Sequence, residues 1–505
     1  MPPLSSCIGI LDFLQGKNYF VTGATGFLAK VLIEKMLRTV PRVGRIYVLI
    51  REKNKDAAIE RLKNEVIDEE LFKCLKQIHG KSYEAFMMSK LVPVVGNVCE
   101  YNLGMDADTA TEIARHVHVI VNSAANTTLD ERYDVALNVN TQGPARLLDF
   151  AKKCKKLKLF LHVSSAYVNG ERKGIILEKP FDLGQSIAEK TIPQVSVPRL
   201  DVSAEMKLAS DMIESFEDNI GGAQNMRDLG WERARIYGWQ NTYVFTKAMG
   251  EMLINSNREN LPVVIIRPST IESTYSEPFP GWIQGNKVID PLLISYGKGQ
   301  LPGFVGNPRT VVDIIPVDMV VNAIVAAMAK HGTVAEPQLH VYHVTSSVSN
   351  PISLGEVCDL AYDHFTSSPQ LNSKGKKIGI KEFKYFSSLN SFTSYIRYET
   401  ARQIGLKEDL SILDPKVRLQ MQTECTKRLQ RLAHIARLYE PYAFYEGRFN
   451  NSNSKDLIDN MSTEEKKMFT FDVESINWKH YIKNIHLPGL QKHVIKEKPV
   501  AVARL

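Results

Sequence analysis

Two short segments, far apart in the chain, carry the residue types needed to move a hydride and a proton. The first is Val21-Thr22-Gly23-Ala24-Thr25-Gly26-Phe27-Leu28-Ala29-Lys30. An apolar, β-like run beginning at Tyr19 enters this glycine turn and leaves it with helical periodicity, so backbone amides at a helix N-terminus face a pyrophosphate. Gly23 permits the bend, Gly26 lets the backbone approach its ligand, and Ala29 stands where a third glycine usually allows close helix packing. The second segment is Tyr243-Val244-Phe245-Thr246-Lys247. Tyr243 and Lys247 are spaced i and i+4, which puts both on one helical face. A phenol with an ordinary pKa of about 10 is a poor acid-base group at neutral pH until an ammonium favours its phenolate, and Lys247 can supply that charge. Together the segments describe hydride transfer to or from a carbonyl, with Tyr243 handling the proton.

Smaller motifs fall between and after these two. Arg51, with Lys53 close by, follows the second expected strand at the place where an acidic residue would bond the ribose 2′-hydroxyl of NAD; a cation there favours the 2′-phosphate of NADPH, and Glu52 argues the other way. Asn97 and Val98 follow the third strand and could wrap the adenine. Asn122-Ser123-Ala124-Ala125 ends the fourth, where small side chains let a cofactor lie across the strand ends. Asn140 reads either as a buried structural amide or as the anchor of a water linking Lys247 to solvent. Ser164 and Ser165 end the fifth strand, and one of them, Ser165 by preference, can orient a substrate carbonyl toward Tyr243. Ile265-Ile266-Arg267-Pro268-Ser269 closes the sixth strand and aims its backbone at the nicotinamide, with Arg267 read as structural and Pro268 beside the ring.

The elements that must position these residues follow from periodicity. Short β-branched runs alternate with helical stretches, the pattern of a parallel sheet covered on both faces. Strands are expected at Asn18–Val21, Ile46–Ile50, Leu91–Val95, Val117–Asn122, Leu159–Ser164, Val263–Arg267 and Leu339–Val344. The expected fold is therefore α/β, a doubly wound parallel Rossmann sheet over residues 12–366, with a smaller, mainly helical domain over 378–505. An insertion of mixed polar and amphipathic sequence runs from about 177 to 240, with a helix from Glu205 to Phe216. The stretch Ser367 to Lys377 has linker composition. Pro415 to Tyr439 reads as an amphipathic helix with apolar Val417, Met421, Cys425, Leu429, Leu432 and Ala436 among Arg418, Lys427, Arg428, Arg431 and Arg437.

A chain of 505 residues exceeds one ordinary core, and 44% hydrophobic with 24% charged residues excludes disorder as the default. Val311 to Ala329, the most apolar stretch, contains Asp313 and Asp318 and reads as a strand and a buried helix rather than a membrane span. The six cysteines form no C-x-x-C pair, which argues against zinc and against a disulfide framework. None falls in the motifs above, so a covalent cysteine route is disfavoured. Net charge is +7, and the excess of Lys and Arg lies beyond residue 370. Such a surface suits a membrane leaflet or a phosphorylated carrier rather than nucleic acid. The expected location is the cytosolic side, peripheral at the endoplasmic reticulum, with no transit peptide evident.

In this order the motifs resemble the extended short-chain dehydrogenase/reductase superfamily. The spellings Gly23 to Lys30, Tyr243 to Glu251 and Glu277-Pro278-Phe279-Pro280-Gly281-Trp282 are similar to the alcohol-forming fatty acyl-CoA reductases, particularly the plant branch. That resemblance implies Tyr243 and Lys247 as the catalytic pair and Ser165 as the orienting hydroxyl. It implies Thr22, Gly23, Thr25, Gly26, Phe27 and Leu28 in the cofactor loop, and NADPH as cofactor. The implied reaction turns long-chain fatty acyl-CoA into a primary alcohol through an aldehyde, for wax or other surface lipids. Two other readings use parts of the same pattern: an epimerase or dehydrogenase acting on an alcohol, ketone or nucleotide sugar, and a non-catalytic dinucleotide sensor.

Overall fold

A computed structural model describes residues 7–188, 199–216, 221–285, 289–334, 337–372, 374–403 and 415–495. Its centre is a seven-stranded, all-parallel sheet built from β1 (Tyr19–Thr22), β2 (Ile46–Ile50), β3 (Leu91–Val95), β4 (Val119–Asn122), β5 (Leu159–Val163), β6 (Val263–Pro268) and β7 (Leu339–Val344). The spatial order is β7-β6-β5-β4-β1-β2-β3, so the chain reverses direction across the sheet at the β1/β4 boundary. In open α/β sheets, ligands bind beyond the carboxyl ends of the strands at such a switch point. Every strand expected from the sequence is present, within two residues at each end.

Both faces of the sheet are covered, which is why β1, β2, β4 and β6 are apolar and buried throughout their middle residues. The helices that matter for the site are α1 (Phe27–Thr39), α2 (Val202–Phe216), α3 (Gly222–Ile236), α4 (Thr242–Asn257), α5 (Asp290–Gly297), α6 (Val317–Thr333) and α7 (Pro415–Ala443). Helix α6 is buried along nearly its whole length, as the apolar stretch beginning at Val311 requires of a core helix. No helix among the described residues is long and apolar enough to cross a membrane. Within the 177–240 insertion, α2 starts three residues before the expected helix. With α3 it forms a separate apolar cluster against Tyr133, Val244 and Phe245.

The C-terminal region is mainly helical, as expected, and its described residues also pack on the first half. Lys384–Phe386 pairs in parallel with Gly303–Val305, and Gly447–Phe449 pairs with Gly174–Ile176 of the first half. Leu457, Phe469, Phe471, Tyr481 and Leu487 belong to the same apolar core as β1 and α6. His486 is buried against Asp290 at 3.1 Å, far away in sequence. The described residues of the C-terminal region are therefore woven into the first half, although Phe392 and Ile396 also pack on Leu432 and Ala436 within the region itself. The expected linker is a tight turn in which Leu371 bridges Lys377. In α7, Val417, Met421, Cys425 and Arg418 lie outside the described side chains, while Leu429, Leu432 and Ala436 face the interior.

Candidate active site

The glycine turn does what its sequence requires. Gly23 has φ +70°, and a Cβ there would stand 2.8 Å from the Ala124 amide nitrogen, so only glycine lets β1 turn against the end of β4. Gly26 caps α1, and Gly26, Phe27 and Leu28 at the start of this helix line the cleft. An open helix N-terminus beside a wall no side chain can enter suits a pyrophosphate. Phe27 is held by Trp282, stacked at 5.4 Å, and Glu277 of the same segment pairs with Lys35 and Arg38 on α1. The Glu277-to-Trp282 motif thus braces the cofactor helix.

The acid-base centre is assembled from β5 and α4. Asn241 caps α4 by accepting from the Val244 amide at 3.1 Å, which starts the helix one turn ahead of Lys247. Glu251, one turn beyond Lys247, receives Arg267 Nε at 3.0 Å in a fully buried ion pair that clamps α4 to β6. Arg267 is therefore structural, as expected. Gly250 lets the helix approach closely, since a Cβ there would stand 2.3 Å from the Asn140 carbonyl.

Ser164 still belongs to the sheet ladder, its amide donating to the Ile266 carbonyl at 2.7 Å. Ser165 is the first residue beyond it; its hydroxyl accepts from the Tyr167 amide at 3.2 Å, and it lines the same cleft as the Tyr243 phenol, whose pKa it lowers. The structure thus places Ser165, rather than Ser164, against Tyr243. Burial pushes the Tyr243 phenol up to about 12, and the Ser165 bond pulls it down. Lys247 is lowered by burial to about 8, with Glu251 opposing the shift. The expected direct influence of Lys247 on Tyr243 is replaced by another arrangement: Lys247 Nζ donates to the Val163 carbonyl at 2.8 Å and lies 3.2 Å from His162 Nε2.

His162 was not among the residues singled out from the sequence, although a histidine inside an apolar strand was a signal. It is fully buried, and burial together with the neighbouring Lys247 holds its pKa well below the ordinary value, so it is neutral. Its Nδ1 lies 3.0 Å from the Asn122 amide, which in turn lies 2.8 Å from Thr22 Oγ1. Asn122 Nδ2 is the atom that faces His162 Nδ1, and Asn122 Oδ1 accepts from the Thr22 hydroxyl. The chain Lys247–His162–Asn122–Thr22 therefore links the acid-base centre to the first residue of the cofactor loop.

Gly26, Phe27, Leu28, Ser165, Tyr243, Lys247 and Pro268 line one cleft of about 1540 Å³, together with Ser123, Ala125 and Ser164. Thr22 ends β1, Gly23 and Thr25 lie in the turn that follows, and none of the three is in that lining. Arg51 is exposed at the end of β2, while Glu52 is drawn toward Arg61 at 3.8 Å. Asn97 and Val98 lie after β3, where Asn97 Oδ1 accepts from the Cys99 amide at 3.1 Å and Val98 packs against the core. Asn140 lies outside the cleft lining: its amide bonds both backbone groups of Asn126 at 2.9 Å and Thr246 Oγ1 at 3.1 Å, which makes it a structural pin for the loop after β4. None of the described cysteines lines the cleft.

A doubly wound sheet with a glycine-turn helix and a Tyr/Lys/Ser centre defines an extended short-chain dehydrogenase/reductase, an oxidoreductase using a nicotinamide dinucleotide. Residues 21–324 match an NAD-binding family described as Male sterility protein, and residues 411–497 match a second family, Sterile, with the same description. The chain is 54% identical to fatty acyl-CoA reductase 2, chloroplastic, of Arabidopsis thaliana, over 97% of this chain and 80% of that protein. It is 39% identical to the alcohol-forming fatty acyl-CoA reductase of Simmondsia chinensis, over 96% and 99% of the two chains. Among solved structures, a reductase domain of a non-ribosomal peptide synthetase from Mycobacterium tuberculosis superposes with TM-score 0.58 at 19% identity, covering 96% of this chain and 94% of that one. That likeness shows the fold. The chain belongs to the fatty acyl-CoA reductase family.

Proposed function

We propose that the protein reduces long-chain fatty acyl-CoA to the primary alcohol with NADPH, in two hydride transfers through an aldehyde, for wax or other surface-lipid synthesis. The observation that carries this reading is the meeting of Ser165, Tyr243 and Lys247 with the open N-terminus of α1 in one cleft. The alcohol-forming relative from Simmondsia chinensis supports the product. NADPH, when bound, supplies the hydrides, one to the thioester carbonyl and one to the aldehyde, two equivalents for each alcohol. Ser165 and Tyr243 donate hydrogen bonds to the substrate oxygen and stabilise the negative charge that develops on it. Tyr243 gives its proton to that oxygen, and Lys247, held by His162 and Val163, supplies positive charge nearby. After the first transfer the carbon–sulfur bond breaks, coenzyme A leaves as the thiolate, and the aldehyde occupies the same position for the second. The exposed Arg51 guanidinium, with Glu52 turned toward Arg61, favours the 2′-phosphate of NADPH.

The basic C-terminal region leads us to place the protein on a membrane surface without crossing it. The endoplasmic reticulum is the location we propose, and the 54% identical relative named chloroplastic supports a plastid membrane as the second reading. Electrostatic attachment is screened by salt, so high-salt washing should release the protein from isolated membranes; retention after salt and alkaline washing would exclude it. The enzymatic proposal is tested with purified protein, NADPH and saturated acyl-CoAs of graded length, with products separated by gas chromatography. Formation of the matching primary alcohols is expected. Absence of both alcohol and aldehyde with every thioester would reject the reading.

A further inference from the structure

A second cavity opens from the catalytic cleft, and the two share Tyr167, Thr270, Pro291, Tyr439 and Tyr442 in their walls. Beyond that collar the lining is almost wholly apolar. One wall comes from α5 and the short strand Gly303–Val305, with Leu292, Leu301 and Phe304. The other comes from α7, whose Leu432, Ile435, Tyr439 and Tyr442 recur at the spacing of one helical stripe. Asp313 and Tyr442, two of the polar groups that reach the cavity, already have partners. The Asp313 carboxylate accepts from the Ser346 amide at 2.8 Å and the Ser347 amide at 3.0 Å, and Tyr442 Oη accepts from Asn241 Nδ2 at 2.8 Å. A cavity whose lining is mainly apolar and whose buried carboxylate is already bonded selects an apolar occupant.

We infer that this cavity holds the hydrocarbon tail of the substrate, and that α7 of the C-terminal region and Phe304 set its length limit. The inference rests on the acyl-thioester reading above. With the thioester carbonyl at Ser165 and Tyr243, the chain passes between Tyr167, Tyr439 and Tyr442 and enters the apolar space away from the cofactor. Leu301, Phe304 and Leu432 line this cavity but not the catalytic cleft, and all three pack into the apolar cluster that α7 forms with Phe392 and Ala436. They therefore mark the remote end, where the terminal methyl stops. The C-terminal region thus serves the reaction as the second wall of the substrate channel, which gives a physical reason for its weaving into the first half.

The test offers wild-type enzyme and two variants, Leu432→Trp and Leu432→Ala, the same equimolar mixture of saturated C12 to C22 acyl-CoAs with NADPH, and quantifies each alcohol. Leu432→Trp fills the remote end, so the ratio of C12 to C20 product should rise by about tenfold or more, in line with the discrimination that a few methylenes give in an apolar pocket. Leu432→Ala enlarges it and should move the ratio the other way. Phe304→Ala, on the opposite wall, should match Leu432→Ala. NADPH binding by fluorescence checks that each variant is folded. Unchanged product ratios in variants that bind NADPH, or the same direction of change for Trp and Ala, would overturn the inference. Failure of wild-type protein to reduce any thioester would instead reject the functional reading beneath it.

Discussion

Lys247 Nζ lies 3.2 Å from His162 Nε2, and both side chains are buried beneath the Tyr243 helix. A lysine in this environment loses its proton readily, and its pKa is lowered to about 8. The groups facing it are His162, the Val163 carbonyl and Glu251. Its ammonium is present below pH 8 and lost as pH rises through that value, so reductase activity should fall on an alkaline limb near pH 8.

Removing the imidazole takes a buried polar neighbour from that ammonium and favours the neutral amine further. For His162→Leu, kcat/KM should drop on the order of tenfold, and the alkaline limb should move to lower pH. His162→Gln, which keeps a polar neighbour, should restore part of the profile. A fall in amplitude with no movement of the limb would show that His162 only supports packing.

Tyr243→Phe removes the acid and keeps the ring. Turnover should fall by a factor on the order of 100 or more while NADPH still binds, as for loss of a positioned acid-base group. Lys247→Ala should be at least as damaging. Reduction of acyl-CoA and of added fatty aldehyde should decline together, because both steps use one centre. Near-normal aldehyde reduction in Tyr243→Phe would require a second site.

Arg51→Asp places a carboxylate where the 2′-phosphate is expected. The KM for NADPH should rise on the order of tenfold or more, the size of one lost charge-assisted contact, and the preference for NADPH over NADH should shrink. Equal efficiency of the wild-type enzyme with both cofactors would dismiss the role of Arg51.

Gly250→Ala tests the close approach of α4 to the loop that Asn140 pins. The added methyl would stand 2.3 Å from the Asn140 carbonyl, a backbone atom that cannot step aside. A loss of about 1–3 kcal/mol is expected from overpacking, read as a lower thermal midpoint. Gly379→Ala, with nothing within 4 Å of the new methyl, is the control and should leave the midpoint nearly unchanged.

The local periodicities settled the sheet strands, the glycine turn and the Tyr243/Lys247 face in advance, because each depends on residues within a few positions of one another. The same holds for the structural role of Arg267 and the buried helix after Val311. What those patterns leave open is which distant surfaces meet. The choice of Ser165 over Ser164 depended on where the β5 ladder ends against β6. The partner of Lys247 depended on which face of β5 carries His162, and Asn140 became a structural pin only once α4 packed on its carbonyl. The C-terminal region shows helical periodicity of its own, yet Leu457, Phe469, Phe471 and Tyr481 are buried with α6 and α5, and Gly447–Phe449 pairs with a strand hundreds of residues earlier. Burial of that kind is decided by long-range packing, and so the second wall of the channel emerged only from the tertiary structure.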